Sequence, residues 1–215
     1  MFCMDPYGIS EIVESHEITL FDSSCLTYTF LKERKNIEND TRTLNMSMEY
    51  FDIAIEIFSN NPQTYVTKKV LNECKRGYTN IKRKGYTNER LASIYEGCHR
   101  LIEILDNGHV FKIPEDEVDL YGKMQFFWER FIKLSESFDL TETDFDLALT
   151  AFLCSDSIGN TAVLTDDAQL AKICVLGCRY LSLDRYHMDY SLDVFTRIDN
   201  GDVFRRFRRR KLAKR

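Results

Sequence analysis

Two short apolar runs, each followed by acidic residues, constrain the fold of this chain more than any other feature. Ile18 to Phe21 is followed directly by Asp22, and Ala162 to Leu164 is followed by a threonine and two aspartates at residues 165–167. After each run the apolar residues return to helical spacing. Few strands, many helices and this strand-then-helix alternation predict an α/β layer fold with a parallel sheet.

The rest of the chain is predominantly helical in pattern. Apolar residues at helical spacing predict helices over 26–31, from residue 44 onward, and over 66–74, 91–105, 120–138 and 141–156. The segment 141–156 is apolar almost all round, which indicates a buried helix. A last short strand is expected at 178–184.

Composition narrows the class of protein. No apolar run approaches the roughly 18 residues that a membrane helix needs, so we expect no membrane span. The N-terminal segment is acidic and lacks a basic-then-apolar signal pattern, so we expect no secretion. The seven cysteines are scattered without a CxxC pair, as expected for reduced thiols of a cytoplasmic protein. Cys174 and Cys178 have no matching ligands that would make a zinc site.

Charge is distributed unevenly. The last twelve residues hold eight basic side chains and no acid, which leaves a net charge of −13 on residues 1–203. An acidic body with a basic tail indicates contact with a polyanion or with the body itself.

Each of four carboxylates has a structural and a functional interpretation. Asp22 either caps the helix that follows it or binds a ligand at the strand end. Glu73 lies on the apolar side of its helix, where it is exposed at an edge, forms an ion pair or binds a cation. Thr143 and Asp146 resemble a capping box, which leaves Asp144 facing the end of the sheet.

The doublet of Asp166 and Asp167 is not required for capping, because Thr165 can cap the next helix itself. The carboxyl ends of parallel strands meet at one edge of a sheet, where ligands bind. Carboxylates that converge there without basic partners repel one another. A divalent cation such as Mg²⁺ or Mn²⁺ relieves that repulsion and can activate water against a phosphodiester.

Four segments, taken in order, resemble the PIN-domain nucleases. The family has an early strand ending in Asp, here ITLFDSS with Asp22, and a Glu after an extended segment, here YVTKKVLNE with Glu73. Its third acid opens a helix, here DFDLALTA with Asp144. Its fourth follows a strand, here AVLTDDAQL with Asp167. The resemblance covers about residues 22–35, 64–76 and 141–183.

The resemblance implies a three-layer α/β/α fold with a central parallel sheet, and metal-dependent endonucleolytic hydrolysis of RNA. It implies that the catalytic residues, which also bind Mg²⁺ or Mn²⁺, are Asp22, Glu73, Asp144 and Asp167. It gives an orienting role to Ser23 and Thr165, and it makes Asp166 a neighbour of the ligands, in the first turn of the next helix at the rim of the site.

The resemblance also implies an organisation and partners. The nuclease domain would span residues 1–186, with a helical insertion at about 77–140, and residues 187–215 would form an extension with the basic tail. Many family members are toxins bound by antitoxins, and many dimerise, so we expect RNA, an antitoxin or other protein, or a second copy as partners. The insertion and the tail set this chain apart from compact toxins.

Two basic segments are candidates for RNA contact. The first interleaves tyrosines with Lys75, Arg76, Lys82, Arg83 and Lys84. The second is in the tail, at Arg208, Arg209 and Arg210. Their alternatives are a solvated turn for the first segment, and a disordered end or docking on the acidic body for the second.

Other functions fit the sequence less well. No glycine-rich phosphate loop is present, the histidines are dispersed, and Ser23 has no His-based activation, which disfavours a nucleotide-dependent kinase and a serine hydrolase. A phosphatase is disfavoured because Asp22 is followed by serines rather than by a D-x-D pair. The main alternative is a non-catalytic PIN-like module that binds RNA or a protein.

Overall fold

The computed structural model describes residues 6–26, 41–84, 89–113, 118–136, 138, 140–183, 191–198 and 203–207. Within these ranges the chain has a mixed α/β fold with eight helices and one six-stranded sheet. The predicted fold class is therefore confirmed. Phe30, Leu31, Tyr86 and the tail arginines Arg208 to Arg210 lie outside the described residues.

The sheet is parallel at its centre and antiparallel at one side. Its strand order is β1-β6-β5-β4-β2-β3, in which β3, β2, β4 and β5 run parallel and β6 runs antiparallel to its two neighbours, β5 and β1. The strands are β1 (Tyr7–Gly8), β2 (Ile18–Phe21), β3 (Thr64–Tyr65), β4 (Thr161–Thr165), β5 (Leu192–Arg197) and β6 (Val203–Arg206). The two apolar runs of the sequence are neighbours in this sheet, as β2 and β4.

The helices follow the apolar periodicity closely. They are α1 (Ile9–Glu14), α2 (Ser23–Leu26), α3 (Thr41–Asn60), α4 (Lys68–Lys84), α5 (Glu89–Gly108), α6 (Val118–Ser135), α7 (Glu142–Ser157) and α8 (Ala168–Leu183). The strand expected at 178–184 is wrong, because α8 continues to Leu183. Leu170, Cys174 and Cys178 are spaced four residues apart and lie on the inward face of α8, so the helical period continues past residue 178. The segment 178–184 is too short for the alternation of a strand to be distinguished from this period.

The last two strands join the sheet of the preceding residues. We predicted a domain of residues 1–186 and an extension beyond it, but β5 pairs in parallel with β4, and β6 pairs with β5. Val194 and Phe195 are buried in the core. The predicted helical insertion at about 77–140 contains the end of α4 together with α5 and α6.

The core is built around α7, which is buried on most of its circumference, as its apolar composition predicts. It packs against α6, α8 and the central strands. Gly177 in α8 allows a close approach, because a Cβ at that position would lie 2.2 Å from Cζ of Phe152. Among the helices that the structure describes, none is long and apolar enough to cross a membrane.

Candidate functional site

The candidate site begins where β2 and β4 end side by side. Phe21 pairs with Leu164 in the parallel register, and the Asp22 amide donates to the Leu164 carbonyl at 3.0 Å. This pairing places Asp22 beside Thr165, whose Oγ1 donates to Oδ2 of Asp22 at 2.8 Å. The predicted meeting of the two strand ends is therefore present at one edge of the sheet.

Asp22 is a buried carboxylate surrounded by hydroxyl groups. Its side chain accepts hydrogen bonds from Ser24 and Thr165, and the Ser23 hydroxyl lies 3.5 Å from Oδ1. Burial raises the pKa of Asp22; the Ser24 and Thr165 hydroxyls oppose that effect, and the charge of Asp144 adds to it. The effect of burial on the pKa of Asp22 is therefore larger than the opposing effect of these hydrogen bonds.

Glu73 is held by two hydroxyls from different parts of the chain. Ser23 Oγ donates to Oε2 at 2.8 Å, and Thr143 Oγ1 donates to Oε1 at 2.6 Å. Among the residues with described contacts, no ion pair involves Glu73. The ion-pair interpretation therefore gives way to a hydroxyl-bound carboxylate that links α2, α4 and α7.

Asp144 has a structural bond and a place in the site. Thr141 caps α7, because its Oγ1 accepts the Asp144 amide at 3.2 Å, and its own amide and Oγ1 donate to Oδ2 of Asp144 at 3.0 and 2.8 Å. The predicted Thr143–Asp146 capping box is wrong, since α7 begins at Glu142 and Thr143 instead binds Glu73. The pKa of Asp144 is raised mainly by burial and further by the charges of Asp167 and Glu73, against the Thr141 bonds.

Asp166 and Asp167 make different contacts. We expected Thr165 to cap α8, but Asp167 caps it. Asp167 precedes α8, and its Oδ1 accepts the amides of Gln169 and Leu170 at 2.6 and 3.2 Å. Thr165 Oγ1 accepts the Asp167 amide at 2.9 Å. Asp166 lies before the helix rather than in its first turn, and its carboxylate is 3.5 Å from Arg197.

Arg197 is a residue of this region that we did not predict. It ends β5, and its side chain is only 2% exposed. Its Nη1 faces Asp166, and its Nη2 donates to the Cys25 carbonyl at 3.3 Å. The segment LDVFTR, in which buried Val194 and Phe195 precede a charged end, is the signal that would have identified the strand and its terminal cation.

The four predicted carboxylates lie close enough to one another that their charges shift the pKa of Asp22 and of Asp144. Asp144 raises the pKa of Asp22, while Asp167 and Glu73 raise the pKa of Asp144. Ser23 and Thr165, for which we predict an orienting role, contact these carboxylates directly. Thr143 and Ser24 make further contacts that the sequence did not reveal.

The donor set fits a hard divalent ion by its chemistry. Carboxylate oxygens are what Mg²⁺ and Mn²⁺ prefer, and Oδ1 of Asp144 has no hydrogen-bond partner among the described residues. In the part of the chain that the structure describes, no three histidine, cysteine, aspartate or glutamate side chains group closely enough to hold one ion. Mg²⁺ usually keeps several waters and binds through one or two carboxylates, so the fit does not need three direct ligands.

The basic residues predicted to contact RNA lie along α4. Lys75 is paired with Asp106 at 2.6 Å, whereas Arg76 is exposed. Lys82, Arg83 and Lys84 form the end of α4, and their side chains lie outside the described part of the structure. Lys69, which we did not predict, lies one turn before Glu73 and pairs with Glu142 at 3.4 Å.

Tyr78, one of two tyrosines in the first predicted RNA-binding segment, is engaged within the protein. Tyr78 stacks on Tyr95 with ring centroids 4.5 Å apart, and the two hydroxyls are hydrogen-bonded. Base stacking by Tyr78 would require this pair to separate.

The chain matches no family model, no curated protein and no solved structure.

Proposed function

We propose that this protein is a metal-dependent endoribonuclease. One observation carries the proposal: four carboxylates, from the β2–α2 junction, α4, α7 and the β4–α8 connection, lie near one another at the carboxyl edge of a parallel sheet. They are Asp22, Glu73, Asp144 and Asp167. Their mutual repulsion is what a divalent cation would offset, and Mg²⁺ or Mn²⁺ suits their oxygen donors.

The residues of the chain would prepare the site before any substrate arrives. The Thr165 and Ser24 hydroxyls fix Oδ2 of Asp22, and the hydroxyls of Ser23 and Thr143 fix the two oxygens of Glu73. Such outer contacts orient carboxylates that act as metal ligands. A bound divalent ion would lower the pKa of water and stabilise the charge on a phosphoryl group.

Basic residues near the site favour a polyanionic substrate. Lys69 and Arg76 lie one turn before and one turn after Glu73, so the same face of α4 presents a cation on either side of that carboxylate. Such cations attract a phosphate backbone to an acidic cleft. The choice of RNA as substrate rests on the family resemblance, as do the expectations of an antitoxin and of a dimer. The expectation of a cytoplasmic location rests on the free cysteines.

The proposal is tested by RNA cleavage with a charge-matched control. Purified protein is incubated with end-labelled single-stranded RNA in Mn²⁺ or in EDTA. We expect cleavage in Mn²⁺ by the wild-type protein and by an Asp52→Asn, Asp119→Asn variant, which loses two exposed aspartates. We expect none from Asp22→Asn, Asp144→Asn. Cleavage that survives in the latter variant would contradict the site assignment.

A non-catalytic RNA- or protein-binding module is the second candidate. It is favoured by the lack of three close metal-binding groups among the described residues, and by exposed Tyr121 and Trp128 on α6. This candidate predicts RNA binding that weakens steeply with salt, without turnover in Mn²⁺.

A further inference from the structure

We infer that Arg197 is a positioning residue that joins the two loops of the candidate site through Asp166. This inference deepens the proposed function and rests on it for its catalytic meaning. The first loop carries Asp22 and continues into α2, and the second, residues 165–167, connects β4 to α8. Arg197 contributes from a third element, the carboxyl end of β5.

The guanidinium of Arg197 contacts α2, into which the first loop continues, and the second loop at once. Its Nη2 donates to the Cys25 carbonyl at 3.3 Å, and its Nη1 lies 3.5 Å from Oδ2 of Asp166. Its Cζ also lies 5.4 Å from the ring centroid of Phe204, which covers one face of the cation. A buried cation requires such partners, because an unpaired charge away from water is costly.

Asp166 connects Arg197 to the carboxylates of the candidate site. Its amide donates to Ser24 Oγ at 2.9 Å, and the same Ser24 hydroxyl binds Oδ2 of Asp22. The Cys25 thiol lies 3.8 Å from Oδ1 of Asp166. The contacts therefore run from Arg197 through Asp166 and Ser24 to Asp22, across the gap between the loops.

The shape of the side chain is essential to this role. A planar guanidinium presents several diverging donors, whereas a lysine ammonium is a single centre on a flexible stem. Arg197→Lys keeps the charge but cannot reach the carbonyl of α2 and the carboxylate of Asp166 with separate nitrogens. Since Arg197 is buried, it acts through these neighbours and not on a substrate.

The experiment measures amide hydrogen exchange by NMR in metal-free wild type, Arg197→Lys, Asp166→Asn and Arg206→Lys. Arg206 pairs with Asp193 toward the amino end of β5 and serves as the matched control. We expect exchange of the amides of residues 166 and 167, each corrected for its intrinsic rate in that sequence, to accelerate about tenfold in Arg197→Lys and Asp166→Asn, relative to Val163 in β4. Arg206→Lys should leave these amides unchanged.

Two results overturn the inference. One is unchanged loop exchange in both Arg197→Lys and Asp166→Asn. The other is an equal acceleration at Val163, which would indicate a general loss of stability. Mn²⁺ affinity and RNA cleavage are measured in parallel: their absence in the wild type would reject the proposed function, while the exchange data would still decide whether Arg197 positions the loops.

Discussion

Thr165 ends β4 and Asp22 directly follows the adjacent parallel strand β2, and the Thr165 hydroxyl donates to Oδ2 of Asp22 at 2.8 Å. The same oxygen of Thr165 accepts the Asp167 amide at 2.9 Å. One buried hydroxyl therefore fixes the carboxylate of one strand end and the backbone of the next. This bond connects the two segments from which the fold was first predicted.

Replacement of Thr165 by valine tests this hydroxyl with little change in shape. Thr165→Val should lower Mn²⁺-dependent cleavage by about 10- to 100-fold, because a contact that orients a ligand carboxylate is lost. It should also lower the free energy of unfolding by about 1–3 kcal/mol, since buried polar groups lose a partner. Thr165→Ser should retain most activity; if serine and valine are equally active, the hydroxyl has no such role.

Asp167 both caps α8 and faces the other carboxylates, and two substitutions separate these roles. Asparagine caps helices about as well as aspartate, so Asp167→Asn should change the free energy of unfolding by less than about 0.5 kcal/mol, whereas Asp167→Ala should cost about 1 kcal/mol. Cleavage should be lost in both variants, because the charge is absent from each. Full activity in Asp167→Asn would reduce Asp167 to a cap.

Stability should depend on pH through Asp22 and Asp144. The pKa of each is raised in the folded protein, mainly by burial, so the folded state binds more protons than the unfolded chain above the ordinary aspartate pKa of 3.8. In metal-free protein these carboxyls therefore lower the free energy of unfolding as pH rises from that value through their folded pKa.

Urea unfolding in EDTA checks this dependence. The stability of Asp22→Asn, Asp144→Asn relative to wild type should increase between about pH 4.5 and pH 7, because the variant lacks the ionisation cost. The pH-independent loss of hydrogen bonds cancels in this comparison. A relative stability that decreases with pH would show that the two carboxyls are more acidic in the folded protein.

Gly177 tests the packing of α8 on α7. A Cβ there would lie 2.2 Å from Phe152 and 3.1 Å from Phe131, both fully buried. Gly177→Ala should therefore destabilise the protein by about 1–3 kcal/mol in thermal or urea unfolding. Gly122 in α6 is the matched control: a Cβ there meets nothing within 4 Å, so alanine should be neutral or stabilise by up to about 1 kcal/mol. Equal effects at both sites would contradict this packing.

The strand ends and their acids were predictable because their signals are local. Apolar runs identify β2 and β4, and parallel pairing brings their carboxyl ends to one edge, so Asp22 and Thr165 could be placed together from sequence. The buried character of α7 followed likewise from its composition. These predictions need no knowledge of how distant helices pack.

The remaining features depend on tertiary contacts. Both Thr141–Asp144 and Thr143–Asp146 fit the spacing of a capping box, and only the first pair forms one. Thr143 instead binds Glu73, which lies 70 residues away in the sequence. Arg197 could not be placed without the pairing of β5 with β4, because nothing local indicates that this strand returns to the edge of the site.

Binding of Mn²⁺ tests the proposed metal site most directly. Electron paramagnetic resonance of free Mn²⁺ should show uptake of about one or two ions by the wild type and by Asp52→Asn, Asp119→Asn. Asp22→Asn, Asp144→Asn should bind at least about tenfold more weakly. Equal affinity in all three proteins, or no saturable binding by the wild type, would contradict the account of these carboxylates as a metal site.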